Sequence, residues 1–282
     1  MASPALVLLR AGELEASVAP AAGMLVTSLR HRGEELLAQR ADLDTYVRTG
    51  RWTGSPLLYP WANRLSAFTF TVSGRPVDAT TSTRDEQGVP LHGLPAARRD
   101  WVVEQASTDR VVAARDWDDP AFPFPHRVTV EHRLDERTLR TTTDVAGETP
   151  VAFGWHPFLV LPGEPREQWE IELGTTRRLG LDDRKLPTGE VEDWRPGRFR
   201  LGGDSYDEAL AGVTGPFTLA GRRRRVVVTF EEGAPYAQFF APIIESMASF
   251  EPMAAPGNAL ITGTDLPFAP WRMRFSITVD GA

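Results

Sequence analysis

Glycine and proline punctuate this chain throughout, 24 and 23 of them in 282 residues, scattered rather than gathered into one linker. Such spacing works against long helices, because proline removes a backbone donor and glycine loses the most backbone entropy in a helix interior. Between the breaks lie short runs rich in Val, Thr, Phe and Leu: Phe68–Val72, Arg127–His132, Leu139–Val145, Glu170–Leu173, Arg225–Phe230 and Arg274–Val279. In Arg127–His132 and Arg274–Val279 apolar and polar residues alternate, the period of a half-buried strand. VSGRPV and LAGRRRRV place glycine turn chemistry between two such runs and predict hairpins. Glu34–Tyr46 could carry a short helix or an irregular segment. The strand–helix alternation of a parallel α/β sheet is missing. The expectation is an all-β chain, a large sandwich of antiparallel strands with few short helices. No repeat, low-complexity segment or charged tail marks a boundary, so residues 1–282 are expected to form a single domain.

Composition then removes whole classes of function. With 41% hydrophobic and 24% charged residues the chain has enough apolar material to offset chain entropy, which excludes disorder along its length. No apolar stretch reaches the roughly 18–20 residues of a membrane span. The net charge of −7 argues against a nucleic-acid partner, which would need a basic footprint. The absence of cysteine excludes disulfides, zinc–thiolate sites and cysteine nucleophiles. The opening MASPALVLLRAGE lacks the basic region of a signal peptide, and a cytoplasmic protein is expected.

Acid–base chemistry near neutral pH starts with histidine, of which there are five. His31 and His132 lie in strand-like context and are expected to face solvent; His126, after Pro-Phe-Pro, is expected on a surface loop. His92 is followed by Gly93, which lets the backbone turn sharply, and His156 is flanked by Trp155, Pro157 and Phe158. Each is either a satisfied core histidine or a proton-transfer group with its charged form disfavoured by desolvation. Glu251, in an apolar stretch before Pro252, is either a strand-end glutamate or a carboxylate made basic by burial. Asp207 reads as a turn or helix-start carboxylate. Asn63 and Arg64 offer donors and acceptors beside Tyr59 and Trp61, as a surface that reads sugar hydroxyls would, or form an ordinary loop ion pair. Arg222–Arg225 is read as a solvated hairpin tip, with a phosphate site as the alternative. Nucleotide-binding loops, the H-E-x-x-H zinc motif and the G-x-S-x-G elbow are all missing, and the histidines are not at close metal-ligand spacing, so no metal site is expected.

Taken in order, these segments form a pattern. Asn63-Arg64 in PWANRL, His92-Gly93 in PLHGL, Gly154-Trp155-His156-Pro157-Phe158, Tyr206-Asp207, and Glu251-Pro252-Met253 with Asn258 in EPMAAPGNAL resemble the aldose 1-epimerase (galactose mutarotase) family over nearly the whole chain. The resemblance implies a galactose mutarotase-like supersandwich and interconversion of α and β anomers of a free aldose without a cofactor. It places Glu251 on the family's general base and His156 on its general acid, expected on opposite sides of the sugar across a hexose-sized hollow. It places Asn63, Arg64, His92, Asp207 and Gln238 on substrate-binding positions. The partner implied is a monosaccharide, with neither nucleic acid nor membrane, for a monomer or homodimer. Two alternatives stay open: a hexose-6-phosphate 1-epimerase, favoured by Arg98, Arg99 and the Arg222–Arg225 run, and a non-catalytic carbohydrate-binding sandwich.

Overall fold

The computed structural model describes residues 4–281. Alternation decides how its strands lie. Along His126–Leu134 and Thr138–Gly147 every second residue is buried, so one face of each strand meets the core. These two strands pair antiparallel over nine positions, from His126↔Gly147 to Leu134↔Leu139. They sit in a nine-stranded sheet that runs in the order Val102–Ala106, Arg110–Trp117, His126–Leu134, Thr138–Gly147, Trp271–Gly281, Arg224–Glu232, Phe217–Ala220, Glu170–Glu172, Phe199–Arg200. The VSGRPV and LAGRRRRV hairpins form as expected, as Thr69–Val72 with Arg75–Asp78 and as Phe217–Ala220 with Arg224–Glu232.

A second, seven-stranded sheet packs against the first. Its order is Pro187–Asp193, Arg177–Leu181, Tyr206–Ala211, Tyr236–Ala241, Ser249–Met253, Gly154–Trp155, Leu57–Leu58. The contact between sheets is aromatic: Phe217 of the first stacks on Phe250 of the second, centroids 5.3 Å apart. Leu210, Phe239 and Phe250 point into that interface and are fully buried. By the two-residue period, Asp207, Gln238, Phe240, Ser249 and Glu251 point to the opposite face. A four-stranded sheet (Val7–Ala11, Leu14–Ala19, Leu25–His31, Glu34–Glu35) adds a further layer, and one hydrophobic cluster runs from Leu9 to Val279. All pairings between strands of these sheets are antiparallel, and among the described residues the α-helices are the short Leu43–Thr49 and Ala259–Thr262. Leu43–Thr49 is capped by Asp42, which accepts from the Thr45 amide, and stopped by Gly50 in the left-handed region. Among the described residues no helix is long and apolar enough to cross a membrane.

Three histidines depart from expectation. His31 and His132 are buried, not solvent-facing, and His126 opens a strand with its ring inside the protein. The alternation itself explains it: His126 and His132 share the parity of Val128 and Val130, the core side. His132 Nδ1 meets Thr141 Oγ1 at 2.9 Å and Nε2 donates to the Met24 carbonyl at 2.8 Å. His126 hydrogen bonds to Tyr59 Oη and the Phe124 carbonyl. Burial holds both imidazoles down to about 4, so they are neutral packing groups.

Candidate active site

Glu251 sits mid-strand in Ser249–Met253, with less than a fiftieth of its surface exposed, not at a strand end. Gln238 is its direct cross-strand partner, and Phe240 pairs with both Ser249 and Asp207. Antiparallel register thus delivers Glu251, Ser249, Gln238, Phe240 and Asp207 to one face from three neighbouring strands. Asp207 is a strand residue rather than a turn or helix-start carboxylate.

His156 arrives from the neighbouring Gly154–Trp155 strand. Gly154 pairs with Met253, and a Cβ there would lie 2.6 Å from the Pro252 carbonyl oxygen, so only glycine lets the two strands close. The result is a direct contact: His156 Nε2 lies 3.0 Å from Glu251 Oε1. The other imidazole nitrogen, Nδ1, lies 2.9 Å from Ser249 Oγ. Phe158 stacks on the ring at 3.9 Å. The expectation of an acid and a base on opposite sides of the hollow is corrected here, because the two side chains touch and the cavity opens beside them.

That cavity is about 170 Å³ and is lined by Asn63, Arg64, His92, Asp207, Gln238, Glu251 and His156, all seven of the expected site residues. Asn63 and His92 both carry left-handed backbone, φ 60° and 57°, a conformation that persists when surrounding contacts hold it. The two residues exchange bonds: the His92 amide donates to the Asn63 carbonyl, and the Asn63 amide donates to the His92 side chain at Nδ1, 3.1 Å away. Gly93 follows at φ 80°, where a Cβ would fall 2.0 Å from the Tyr59 carbonyl oxygen. Beyond this turn, one polar chain crosses the floor. Asn63 Nδ2 donates to Gln238 Oε1 (2.9 Å), and Gln238 Nε2 donates to Asp207 Oδ1 (2.5 Å). Arg64 donates to Asp207 (3.3 Å) and Asp85 (2.6 Å). Asn258 holds the Arg64 segment from behind: its amide donates to the Arg64 carbonyl and its Oδ1 accepts from the Ser66 amide.

The electrostatics follow from burial. Glu251 is pushed well above the usual carboxylate range, by desolvation first and the nearby Asp207 charge second, with Arg64 pulling the other way. Its Oε2 is buried without a hydrogen-bond partner among the described residues, a place for a hydroxyl donor. His156 is held well below the usual imidazole value by burial and by neighbouring His92 and Arg40. His92 is lowered to about 3 by burial and by Arg64. His92, His156 and Glu251 bring ligand-type atoms within 4.8 Å of one another. The donor set suits proton exchange better than a metal. A backbone amide can only donate, so His92 Nδ1 must accept and its Nε2 keeps the hydrogen, whereas a ligating histidine offers a bare nitrogen and donates from the other.

Several residues at the site carried no expectation. Phe240 and Ser249 were accessible through parity, two residues from Gln238 and Glu251. Arg40 and Trp52 line the cavity from a long connecting segment and had no sequence signal. Arg40 forks onto Glu245 with two 2.6 Å bonds above the Phe158 ring, and Trp52 meets His92 edge-on. The arginines that kept a phosphate in view lie elsewhere. Arg98 is buried near Tyr46; Arg99 faces Asp100 and Asp119; Arg222 and Arg223 form a tip whose amides donate to Glu164; Arg224 pairs with Glu34.

The sequence matches the family described as aldose 1-epimerase over residues 5–279. No curated protein sequence gives a significant match. Among solved structures, the GalM/aldose epimerase homologue from C. elegans superposes with a TM-score of 0.81 at 15% identity, over 99% of each chain. A galactose mutarotase-like protein from Clostridium acetobutylicum gives 0.80 at 15% identity over 98% of this chain and 95% of that one. The galactose 1-epimerase of Lactobacillus acidophilus NCFM gives 0.77 at 14% identity, over 97% and 93%. At such identities these likenesses establish the galactose mutarotase-like fold. The family match supplies the rest: this chain belongs to the aldose 1-epimerase family.

Proposed function

We propose that this protein is an aldose 1-epimerase acting on a free sugar, with Glu251 and His156 exchanging the protons. The observation that carries the reading is the buried 3.0 Å contact between Glu251 and His156 on the wall of a polar cavity. Mutarotation moves protons at two oxygens, the anomeric hydroxyl O1 and the ring oxygen O5, and both are bonded to C1. An acid and a base in mutual contact are therefore matched to the task. With Glu251 ionised and His156 protonated, O1 gives its proton to the carboxylate while the imidazolium protonates O5. The C1–O5 bond breaks and the C1 carbonyl forms. Rotation about C1–C2 presents the other aldehyde face, and both transfers then run backwards as O5 closes on C1. The pair holds one proton beyond bare carboxylate and neutral imidazole at every stage, and it ends as it began.

Burial favours the uncharged version of this one-proton pair, carboxyl with neutral imidazole, which is the state reached at the aldehyde. Arg64 and the sugar hydroxyls favour the charged version, which opens the ring. Arg64, Asp207, Gln238 and Asn63 supply the donors and acceptors that read hydroxyls, and His92 Nε2–H is a fixed donor on the same wall. A free sugar is favoured over a sugar phosphate because the arginines lining the cavity, Arg40 and Arg64, already hold carboxylates. A purely sugar-binding role leaves the buried Glu251–His156 pair without purpose, at a cost in desolvation. Polarimetry or NMR of freshly dissolved α-glucose and α-galactose tests the reading: equilibration faster than buffer supports it, and buffer rates across a panel of free aldoses would sink it.

A further inference from the structure

Ser249 is fully buried and is not among the residues lining the cavity. It stands two residues before Glu251 on the same strand face, so the strand presents a hydroxyl and a carboxyl side by side. The His156 ring lies between them, Nδ1 at 2.9 Å from Ser249 Oγ and Nε2 at 3.0 Å from Glu251 Oε1. We propose that Ser249 is a positioning residue that keeps His156 able to gain and lose its proton. This rests on the proton-exchange reading above.

The physical point is what can face Nδ1. A carbonyl or carboxylate there only accepts, and would fix hydrogen on Nδ1. A backbone amide only donates, and would fix hydrogen on Nε2, as at His92. A hydroxyl does either by turning its O–H. It donates to a bare Nδ1 when the neutral ring carries hydrogen on Nε2. It accepts from Nδ1–H when the ring is cationic, or neutral with Nε2 bare. In the proposed reaction the imidazolium and the neutral ring left after Nε2 gives up its proton both carry hydrogen on Nδ1, and Ser249 Oγ accepts from it in each; the resting tautomer with hydrogen on Nε2 is met by turning the O–H, with no movement of the ring. Ser249 is no hydrolytic nucleophile, since no part of it is open to a substrate.

Other titratable or charged groups bear on His156: Glu251 at Nε2, His92 edge-on at 5.5 Å, and Arg40 above Phe158. Glu251 in turn feels Asp207 and Arg64. Any change in acid–base behaviour must be read against these, which is why the test alters Ser249 alone. Ser249→Ala removes the hydroxyl; Ser249→Thr keeps it, and a thermal midpoint near wild type shows that either variant is folded. Removing the acceptor for Nδ1–H disfavours the cation most, because charge-assisted bonds are the strong ones. The expected result is a kcat down by about 10-fold for Ser249→Ala with KM unchanged, an acid limb of the pH profile moved to lower pH, and recovery of most of the rate in Ser249→Thr. Nitrogen-15 NMR of the His156 ring should show a changed Nδ1 shift in Ser249→Ala. Wild-type kcat, pH limb and Nδ1 shift in Ser249→Ala would overturn the proposal. If the wild-type protein equilibrates no aldose, the functional reading has failed, and the Nδ1 shift alone then decides whether Ser249 governs this ring.

Discussion

Two histidines share one cavity wall, 5.5 Å apart ring to ring, and they are built for different work. His92 is gripped at Nδ1 by a backbone amide, which cannot reverse, so its hydrogen is fixed on Nε2. His156 is held between a hydroxyl that can donate or accept and a carboxyl able to exchange protons. Burial lowers the pKa of both rings, yet low basicity alone does not make a proton shuttle. The identity of the partner on the far nitrogen decides it. On the proposed function, this difference gives His92 hydrogen-bond donation and His156 proton transfer.

The largest test removes the pair proposed to transfer protons. Glu251→Gln and His156→Ala should each reduce kcat by about 10²–10⁴-fold, the usual worth of a general acid or base, in anomerisation followed by NMR. The pH dependence sharpens the point. Because Glu251 is raised and His156 lowered, the pair keeps its single proton across a wide neutral span. Below that span the carboxyl and the imidazolium are both protonated, and no base remains for O1–H. Above it both have lost their protons, and no acid remains for O5. A broad plateau in kcat/KM with a fall on each side is expected; a single sharp optimum near the ordinary histidine value would contradict the coupled pair.

His92 comes next in size. His92→Ala removes a donor, leaves the Asn63 amide unpaired, and is expected to lower kcat/KM by roughly 10–100-fold, at about 1–3 kcal/mol for a lost buried hydrogen bond. The plateau must keep its acid limb, because the limb belongs to the Glu251–His156 pair. Loss of that limb in His92→Ala would exchange the roles of the two rings. A smaller effect is expected from Arg64→Lys. Lysine keeps the charge but cannot span Asp85 and Asp207 with a planar fork, so KM should rise by about 10-fold with kcat little changed.

Sequence and structure agree most where the two-residue period speaks. The six strand runs, the two hairpins and the grouping of Asn63, Arg64, His92, His156, Asp207, Gln238 and Glu251 around one cavity are legible, the first two through alternation and turn residues and the last through ordered motifs. What escaped depended on layers that only the folded chain assembles. Nothing local says that Arg40 and Trp52 will reach a cavity that Asp207, Gln238 and Glu251 complete from far along the chain. Nothing in a motif says that Glu251 and His156 will touch, since their contact is made by the pairing of Gly154 with Met253. His132 is buried against the expectation from residue type because parity outranks it: Val128 and Val130 mark the core side of its strand.

His132 supplies the smallest effect on activity and the control for the whole comparison. Like His156, it has a hydroxyl at Nδ1, that of Thr141. Its Nε2, however, faces the Met24 carbonyl, which only accepts, so the hydrogen stays on Nε2 and the ring has no exchange partner. A reversible partner on one nitrogen is therefore insufficient; the other must meet a group that trades protons beside a cavity. His132→Gln is expected to leave kcat within about twofold and to cost about 1–3 kcal/mol of stability at neutral pH, from impaired buried hydrogen bonds. In the wild type the His132 pKa falls from 6.5 to about 4 on folding, so the unfolded chain binds the proton more tightly. This contribution is intact above pH about 6.5 and is lost as pH drops toward about 4, so the thermal midpoint should fall over that window less steeply in His132→Gln than in wild type. A large loss of kcat in a well-folded His132→Gln would mean that the far-nitrogen partner does not separate shuttling from packing histidines in this protein.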